Sequence, residues 1–275
     1  MRKRIVFIFL FFLLCSSLFA QAGLRIILEE SGGNLIIIGS RGSVRELVIP
    51  ERINDMPIVA IGERAFTGRG LTMVTIPDTV TEIMEGAFSY NDLSTLVIGN
   101  NVETIGQSAF SNNRLSNLDI GTSVTSIGMG AFASNHLVTL VIPDSVTEIG
   151  SYAFFNNRLT AVTVPDGVTT IGEGAFSSNR IHSVSLGGSV REIGDGAFYN
   201  NRIITIEVPG SISALGNRVF ESRLTRRGAV PPIDYLTEQG ELLYTTANNF
   251  DAFFASNGRR AGTYTFAREG WVFNE

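Results

Sequence analysis

The sequence predicts a repeat solenoid of the α/β type, mostly β, built from about eight 22-residue units with a parallel sheet on one face. Three observations predict it. Phe66, Phe88, Phe110, Phe132, Phe154, Phe176, Phe198 and Phe220 stand 22 residues apart. Alanine precedes seven of them, at Ala65, Ala87, Ala109, Ala131, Ala153, Ala175 and Ala197, and Val219 replaces it in the last unit. Two more apolar columns keep the period: Val80, Val102, Val124, Val146, Val168, Val190 and Ile212, then Ile83, Ile105, Ile127, Ile149, Ile171, Ile193 and Leu215. Finally, a turn former closes an apolar stretch in every unit, at Pro77, Gly99, Gly121, Pro143, Pro165, Gly187 and Pro209.

The chain opens with Arg2, Lys3 and Arg4, an apolar run from Ile5 to Leu14, and the small polar stretch Cys15-Ser16-Ser17. That order of charge, short apolar core and small residues reads as a secretory signal peptide. Ala20-Gln21-Ala22 supplies the cleavage residues, so the signal is placed at 1–22 and the chain is expected to be exported, to the cell surface, outer envelope, periplasm or medium. Lipid attachment at Cys15 is the alternative, but Leu14 stands where a small residue is needed. Nothing after residue 23 approaches the roughly 20 apolar residues of a spanning helix, so no transmembrane span is expected in the mature chain. With Cys15 removed no cysteine remains, which excludes a disulfide, a thiol nucleophile and a thiolate metal site. Losing the three N-terminal cations takes the formal charge from −5 to −8, which argues against a nucleic-acid partner.

Residues 23–45 read as a β-hairpin: Leu24 to Leu28, the turn Ser31-Gly32-Gly33-Asn34, then Leu35 to Ile38. A stack has exposed apolar ends, so this hairpin is expected to cap the first coil and pair onto it. The solenoid proper is placed at 46–222. Each unit carries Leu-x-x-Leu-x-Ile, as in Leu93, Leu96, Ile98 or Leu137, Leu140, Ile142. The last two apolar residues of the set are two apart, as a strand with one buried face requires. Proline or glycine then ends the strand, the one for want of an N–H and the other by turning sharply. The column Gly106, Gly128, Gly150, Gly172, Gly194 and Gly216, interrupted at Met84, marks a second corner with positive φ or close backbone approach.

Asparagine fills one column six times running, at Asn91, Asn113, Asn135, Asn157, Asn179 and Asn201. An amide carries two donors and an acceptor, so a buried structural ladder of them is expected to satisfy turn backbone on neighbouring coils. The final segment, 223–275, reads as a small α+β module. A helix starting at Asn249 would carry Phe250, Phe253 and Phe254, and strands are expected about Thr263–Phe266 and Trp271–Phe273. This module either caps the stack or anchors the chain.

Chemistry is sparse. His136 and His182 occupy positions filled elsewhere by arginine, serine or threonine, and no metalloprotease, phosphate-loop or calcium-loop pattern occurs. Asp78, Asp144 and Asp166 follow prolines in a column broken by Asn100, Thr122, Gly188 and Gly210, which is turn chemistry rather than a calcium ladder. No catalytic residue, metal or cofactor is therefore expected, and the chain is read as a non-enzyme. Two surfaces remain as partner-binding candidates. Strand alternation points Thr95, Val97, Asn117, Asp119, Thr139, Val141, Ala161, Thr163, Ser183, Ser185, Thr205 and Glu207 away from the core. Arg114, Arg158, Arg180 and Arg202 share a column with His136, a stripe that either attracts an acidic partner or is neutralised by the acidic column Glu63, Glu85, Glu173 and Asp195.

The unit running from Leu137 to Phe154, Leu-x-x-Leu-x-Ile-Pro-Asp-x-Val-Thr-x-Ile-Gly-x-x-Ala-Phe, resembles the treponemal, BspA-like class of bacterial leucine-rich repeats. The opening Leu47-Val48-Ile49-Pro50, joined to Ala65-Phe66 by a longer link, resembles the first repeat of that class. Two departures stand out: a period of 22 where the class more often has 23, and asparagine where it often has cysteine. The stretch Ser256 to Tyr264 also resembles tails carried by spirochaetal proteins of this kind. The resemblance implies a leucine-rich-repeat solenoid with a parallel sheet on one face and turns or short helical segments on the other. It further implies a surface for protein binding or adhesion, with a host matrix, other bacterial or envelope protein as partner. A structural envelope scaffold without an external ligand is the alternative function.

Overall fold

The computed structural model describes residues 24–220 and, beyond them, short strands up to Asn274. The expected signal segment and the expected helix at Asn249 lie outside the described residues. The 22-residue units form a stack of coils, mostly β, and no helix occurs among the described residues. Where the sequence left open turns or short helical segments opposite the strands, the chain makes turns.

An eleven-stranded sheet runs the length of the stack. It opens with the antiparallel hairpin β1 (Arg25–Ser31) and β2 (Asn34–Arg41), whose turn residues are Gly32 and Gly33. Strand β2 pairs in parallel with β5 (Met56–Ile61), and β4 (Arg52–Ile53) folds antiparallel onto β5. The remaining members are two-residue strands, one per coil: β7 (Glu82–Ile83), β9 (Thr104–Ile105), β10 (Ser126–Ile127), β11 (Glu148–Ile149), β13 (Thr170–Ile171), β15 (Glu192–Ile193) and β17 (Ala214–Leu215). All pair in parallel, so Ile61, Ile83, Ile105 and their equivalents line up to Leu215. Threonine and isoleucine suit such a half-buried pleat because their branched side chains are already restricted.

The Leu-x-Ile column makes strands too, but the ladder on that face is broken. At one end β3 (Glu46–Val48), β6 (Met73–Thr75) and β8 (Thr95–Val97) form a three-stranded parallel sheet. At the other, β12 (Ala161–Val164), β14 (Ser183–Leu186) and β16 (Thr205–Val208) are parallel, and β20 (Gly262–Ala267) adds antiparallel to β16 and β21 (Gly270–Asn274) to β20. A separate pair, β18 (Tyr235–Leu236) and β19 (Leu242–Leu243), is antiparallel. Between the two sheets strand pairing among the described residues is reduced to the isolated bridge Asp119↔Val141. The cause is local. The Asp119 carboxylate accepts the Gly121 N–H at 3.1 Å, and Gly121 turns with φ 84°, so this coil leaves the strand path early.

The core lies inside the coils. All eight column phenylalanines are at most 2% exposed, and successive rings stack with centroids 5.1–5.6 Å apart and planes within 12° of parallel. The turn that carries each phenylalanine is bonded to the next coil, for example Phe110 N–H to Ala131 O at 2.8 Å. Two left-handed positions bracket it. One column holds Arg64, Ser108, Tyr152 and Arg218 among the glycines Gly86, Gly130, Gly174 and Gly196, and the other holds Tyr90, Asn112, Ser134, Asn156, Ser178 and Asn200. The Gly106-to-Gly216 corner is different, since none of those glycines has positive φ and each lies against the backbone of the preceding coil.

Candidate binding surfaces

The asparagine column is buried and bonded on both sides of its amide. The Asn113 Nδ2 donates to Phe88 O of the preceding coil at 3.0 Å and to Phe110 O of its own at 3.1 Å, while its Oδ1 accepts Leu93 N–H at 3.0 Å. The same three-way pattern recurs at Asn135, Asn157, Asn179 and Asn201, and Asn91 adds a second N–H, from Arg69, to its Oδ1. Each amide thus closes turn carbonyls that would otherwise be unpaired in the core. Asn157→Ala is expected to cost roughly 1–3 kcal/mol by orphaning those groups, whereas the exposed Arg158→Ala is expected to stay within about 0.5 kcal/mol. Chemical denaturation of both variants checks this, and equal effects would mean the amide carries no such share.

On the strand face, Thr95, Val97, Asn117, Asp119, Thr139, Val141, Ala161, Thr163, Ser183 and Glu207 are exposed, and Ser185 and Thr205 are half-exposed. Val141 is 72% exposed, the highest among the large apolar side chains on the described surface. Beside the broken ladder a shallow cleft of about 540 Å³ opens, lined among others by Leu140, Val141, Thr163 and Ser185 and by the carboxylate-bearing Asp144 and Asp166. The Ser185 hydroxyl and Glu207 carboxylate are joined at 2.7 Å, so these two candidates act as a pair.

The arginine column is exposed throughout, at Arg114, Arg158, Arg180 and Arg202. Its neutralisation by the acidic column Glu63, Glu85, Glu173 and Asp195 does not occur among the described residues. Arg114 instead pairs at 2.8 Å with Asp92, one coil back in its own column, while Glu85 pairs with Arg64 and Glu173 accepts the Tyr152 hydroxyl. That hydrogen bond, with burial and the carboxylate's charge behind it, pushes the Tyr152 pKa up. Within the stripe, His136 is held below its ordinary pKa by burial first and then by the charges of Arg158 and Arg114.

The proline-following carboxylates serve turns: Asp78 Oδ1 accepts Asn100 N–H and Asp166 Oδ1 accepts Gly188 N–H, each at 2.6 Å. Sequence reasoning missed the continuous sheet as a surface. Its outer side presents Glu82, Thr104, Glu148 and Glu192, and neighbouring Thr125, Thr147 and Thr169 hydroxyls each bond a carbonyl one coil back. The signal was present as Thr-x-Ile recurring in each unit, but two residues per strand are too few to show alternation. Among the described residues, no helix is long and apolar enough to cross a membrane, and no three His, Cys, Asp or Glu side chains are grouped to hold a metal ion.

Stacked 22-residue coils with an apolar interior and an amide ladder define a leucine-rich-repeat solenoid. Residues 41–160 and 112–226 match the model of the BspA type leucine rich repeat region in 6 copies, and the chain belongs to that family. Among solved structures, the T. pallidum leucine rich repeat protein TpLRR is 25% identical with a TM-score of 0.58, over 76% of this chain and 91% of that one. A leucine rich cell surface protein from Faecalibacterium prausnitzii A2-165 is 25% identical with a TM-score of 0.42, over 74% and 79%. The pneumococcal vaccine antigen PcpA is 14% identical with a TM-score of 0.43, over 73% and 78%. None of the curated proteins compared matches the chain.

Proposed function

We propose that this chain is an exported solenoid that presents its strand face to a protein partner at the cell envelope, in protein–protein interaction or adhesion, and that it is not an enzyme. Residues 1–22 are assigned to the signal, 23–45 to the N-terminal cap, 46–222 to the solenoid and 223–275 to a C-terminal cap or tail. The observation that carries the reading is the cleft at the ladder break, where the exposed Val141 meets small strand side chains beside two carboxylates. An apolar centre with a polar rim is the composition of a protein interface. The family supports it as well, since a regular repeat surface offers recognition rather than an enclosed reaction site.

The test is to incubate the mature protein with envelope extract and with host matrix, then measure the captured ligand against the double variant Val141→Arg with Thr163→Arg. Both positions are exposed, so circular dichroism and melting are expected to be unchanged. Affinity is expected to fall roughly tenfold or more, because two arginines would fill the cleft. Unchanged affinity removes the strand face from the reading. No ligand from either source, with protection from protease on intact cells, makes the chain a structural envelope scaffold instead.

A further inference from the structure

On five successive coils the segment from the left-handed corner at Asn112 and its equivalents to the start of the strand face is one strip of surface, comprising 112–117, 134–139, 156–161, 178–183 and 200–205. These segments contain Arg114, His136, Arg158, Arg180, His182 and Arg202 and no carboxylate, in a chain whose formal charge is −5. Asp119 and Glu207 lie beyond the strip on the strand face, and Glu173 and Asp195 lie on the far side of the phenylalanine turn. Asp92 neutralises Arg114 at the N-terminal end. Arg158, Arg180 and Arg202 make no ion pair among the described residues. They repeat at the coil step, which the stacked rings set at 5.1–5.6 Å.

We propose that this strip binds a linear anionic polysaccharide along the solenoid axis. Guanidinium groups in a row match successive sulfate or carboxylate groups on an extended chain, with paired N–H donors for each. A glycan also brings hydroxyls, which need neutral partners. The strip supplies them in register beside the cations: Asn156 Nδ2 donates to Ser134 Oγ and Asn200 Nδ2 to Ser178 Oγ, both at 3.2 Å, at the partly exposed corner.

Two other polyanions fit less well. An acidic peptide gains most from an open strand edge, but the strip's amides are already used between coils. The backbone N–H groups of Arg158, Arg180 and Arg202 donate to Leu137 O, Leu159 O and Ile181 O at 2.9–3.0 Å. A nucleic acid strand wants aromatic platforms, and the strip segments hold no phenylalanine, tyrosine or tryptophan. The proposal does not rest on the strand-face cleft, whose lining contains none of these arginines, and the strip meets the strand face only at its last column, Asn117 and its equivalents.

The test uses the full mature chain on immobilised heparin, with neutral dextran and poly-L-glutamate as parallel matrices. Retention by heparin at low salt, release as salt rises, and no retention by dextran are expected. The triple variant Arg158→Gln, Arg180→Gln, Arg202→Gln is expected to bind heparin about 100-fold more weakly, at about fivefold for each of the three charges lost. The triple Arg→Lys variant keeps the charge but not the fork, and is expected to lose less than about tenfold. Both variants are expected to melt with the parent. Failure of the parent to bind heparin, equal binding by the glutamine variant, or glutamate binding as tight as heparin each overturns the proposal. If the glutamine variant does not fold, the lysine variant and the three matrices decide it: a lysine variant that binds no heparin while poly-L-glutamate is retained also overturns it.

Discussion

Phe132→Ala is expected to lower the unfolding free energy by about 3–5 kcal/mol, the range for removing a large buried ring. The ring is fully buried and sits between Phe110 and Phe154, with centroids 5.4 and 5.6 Å away. The surrounding backbone has little freedom to close over the vacancy. Phe132 N–H donates to Ala153 O at 2.8 Å, and Phe132 O accepts from both Asn135 and Asn157, at 3.1 and 3.0 Å. Those bonds hold the turn at its present height, so the missing ring leaves a cavity rather than a collapsed turn. In a stack whose units touch only their neighbours, a defect at the middle also weakens coupling between the two halves. Urea denaturation followed by circular dichroism is expected to show both a lower midpoint and a broader transition. A loss below about 1 kcal/mol would mean that the phenylalanine column does not hold the coils together.

Much of this was legible because a stack repeats its environment. Every column phenylalanine meets the same neighbours, and each column asparagine meets the same carbonyls, so selection of one side chain shows directly as a 22-residue period. The hairpin was legible from Gly32-Gly33 between two apolar runs, and it forms with β2 on β5. The continuous sheet was not, because Thr104–Ile105 and its equivalents are too short to alternate. Nor was the break in the strand face. Val138 to Ile142 is rich in strand-forming residues, yet pairing there is limited to one bridge because the previous coil turns off at Gly121.

The left-handed corner escaped detection for another reason. Its column mixes glycine with Arg64, Ser108, Tyr152 and Arg218, and bonds between coils hold those residues at positive φ against their own preference. The charge balance of the arginine column was within reach, since Asp92 and Arg114 are one period apart. The outward side chains of the strand face followed from alternation alone, as Ala161 and Thr163 against buried Val162 and Val164 illustrate.

Gly172→Ala is expected to cost about 3 kcal/mol or more, for a steric reason that the backbone angles do not reveal. Gly172 is not in the left-handed region, so alanine could adopt its φ. The added methyl, however, would lie 2.4 Å from Ser151 N, 2.7 Å from Gly150 C and 2.8 Å from Ser151 Cα, all backbone atoms of the preceding coil. Neither coil can step aside cheaply. Gly172 N–H is bonded to Ile149 O at 2.8 Å on one side of the corner, and Phe176 stacks on Phe154 at 5.3 Å on the other. Relief requires spreading the two coils, which weakens hydrogen bonds and ring contacts together. Gly188→Ala provides the contrast, because a methyl there would meet only Asp166 Oδ1, at 3.6 Å. That change is expected to be neutral or stabilising by up to about 1 kcal/mol through the unfolded chain. Thermal and urea melts of the two variants side by side separate the explanations: a general intolerance of alanine in this glycine-rich chain would lower both, whereas contact between coils lowers Gly172→Ala alone.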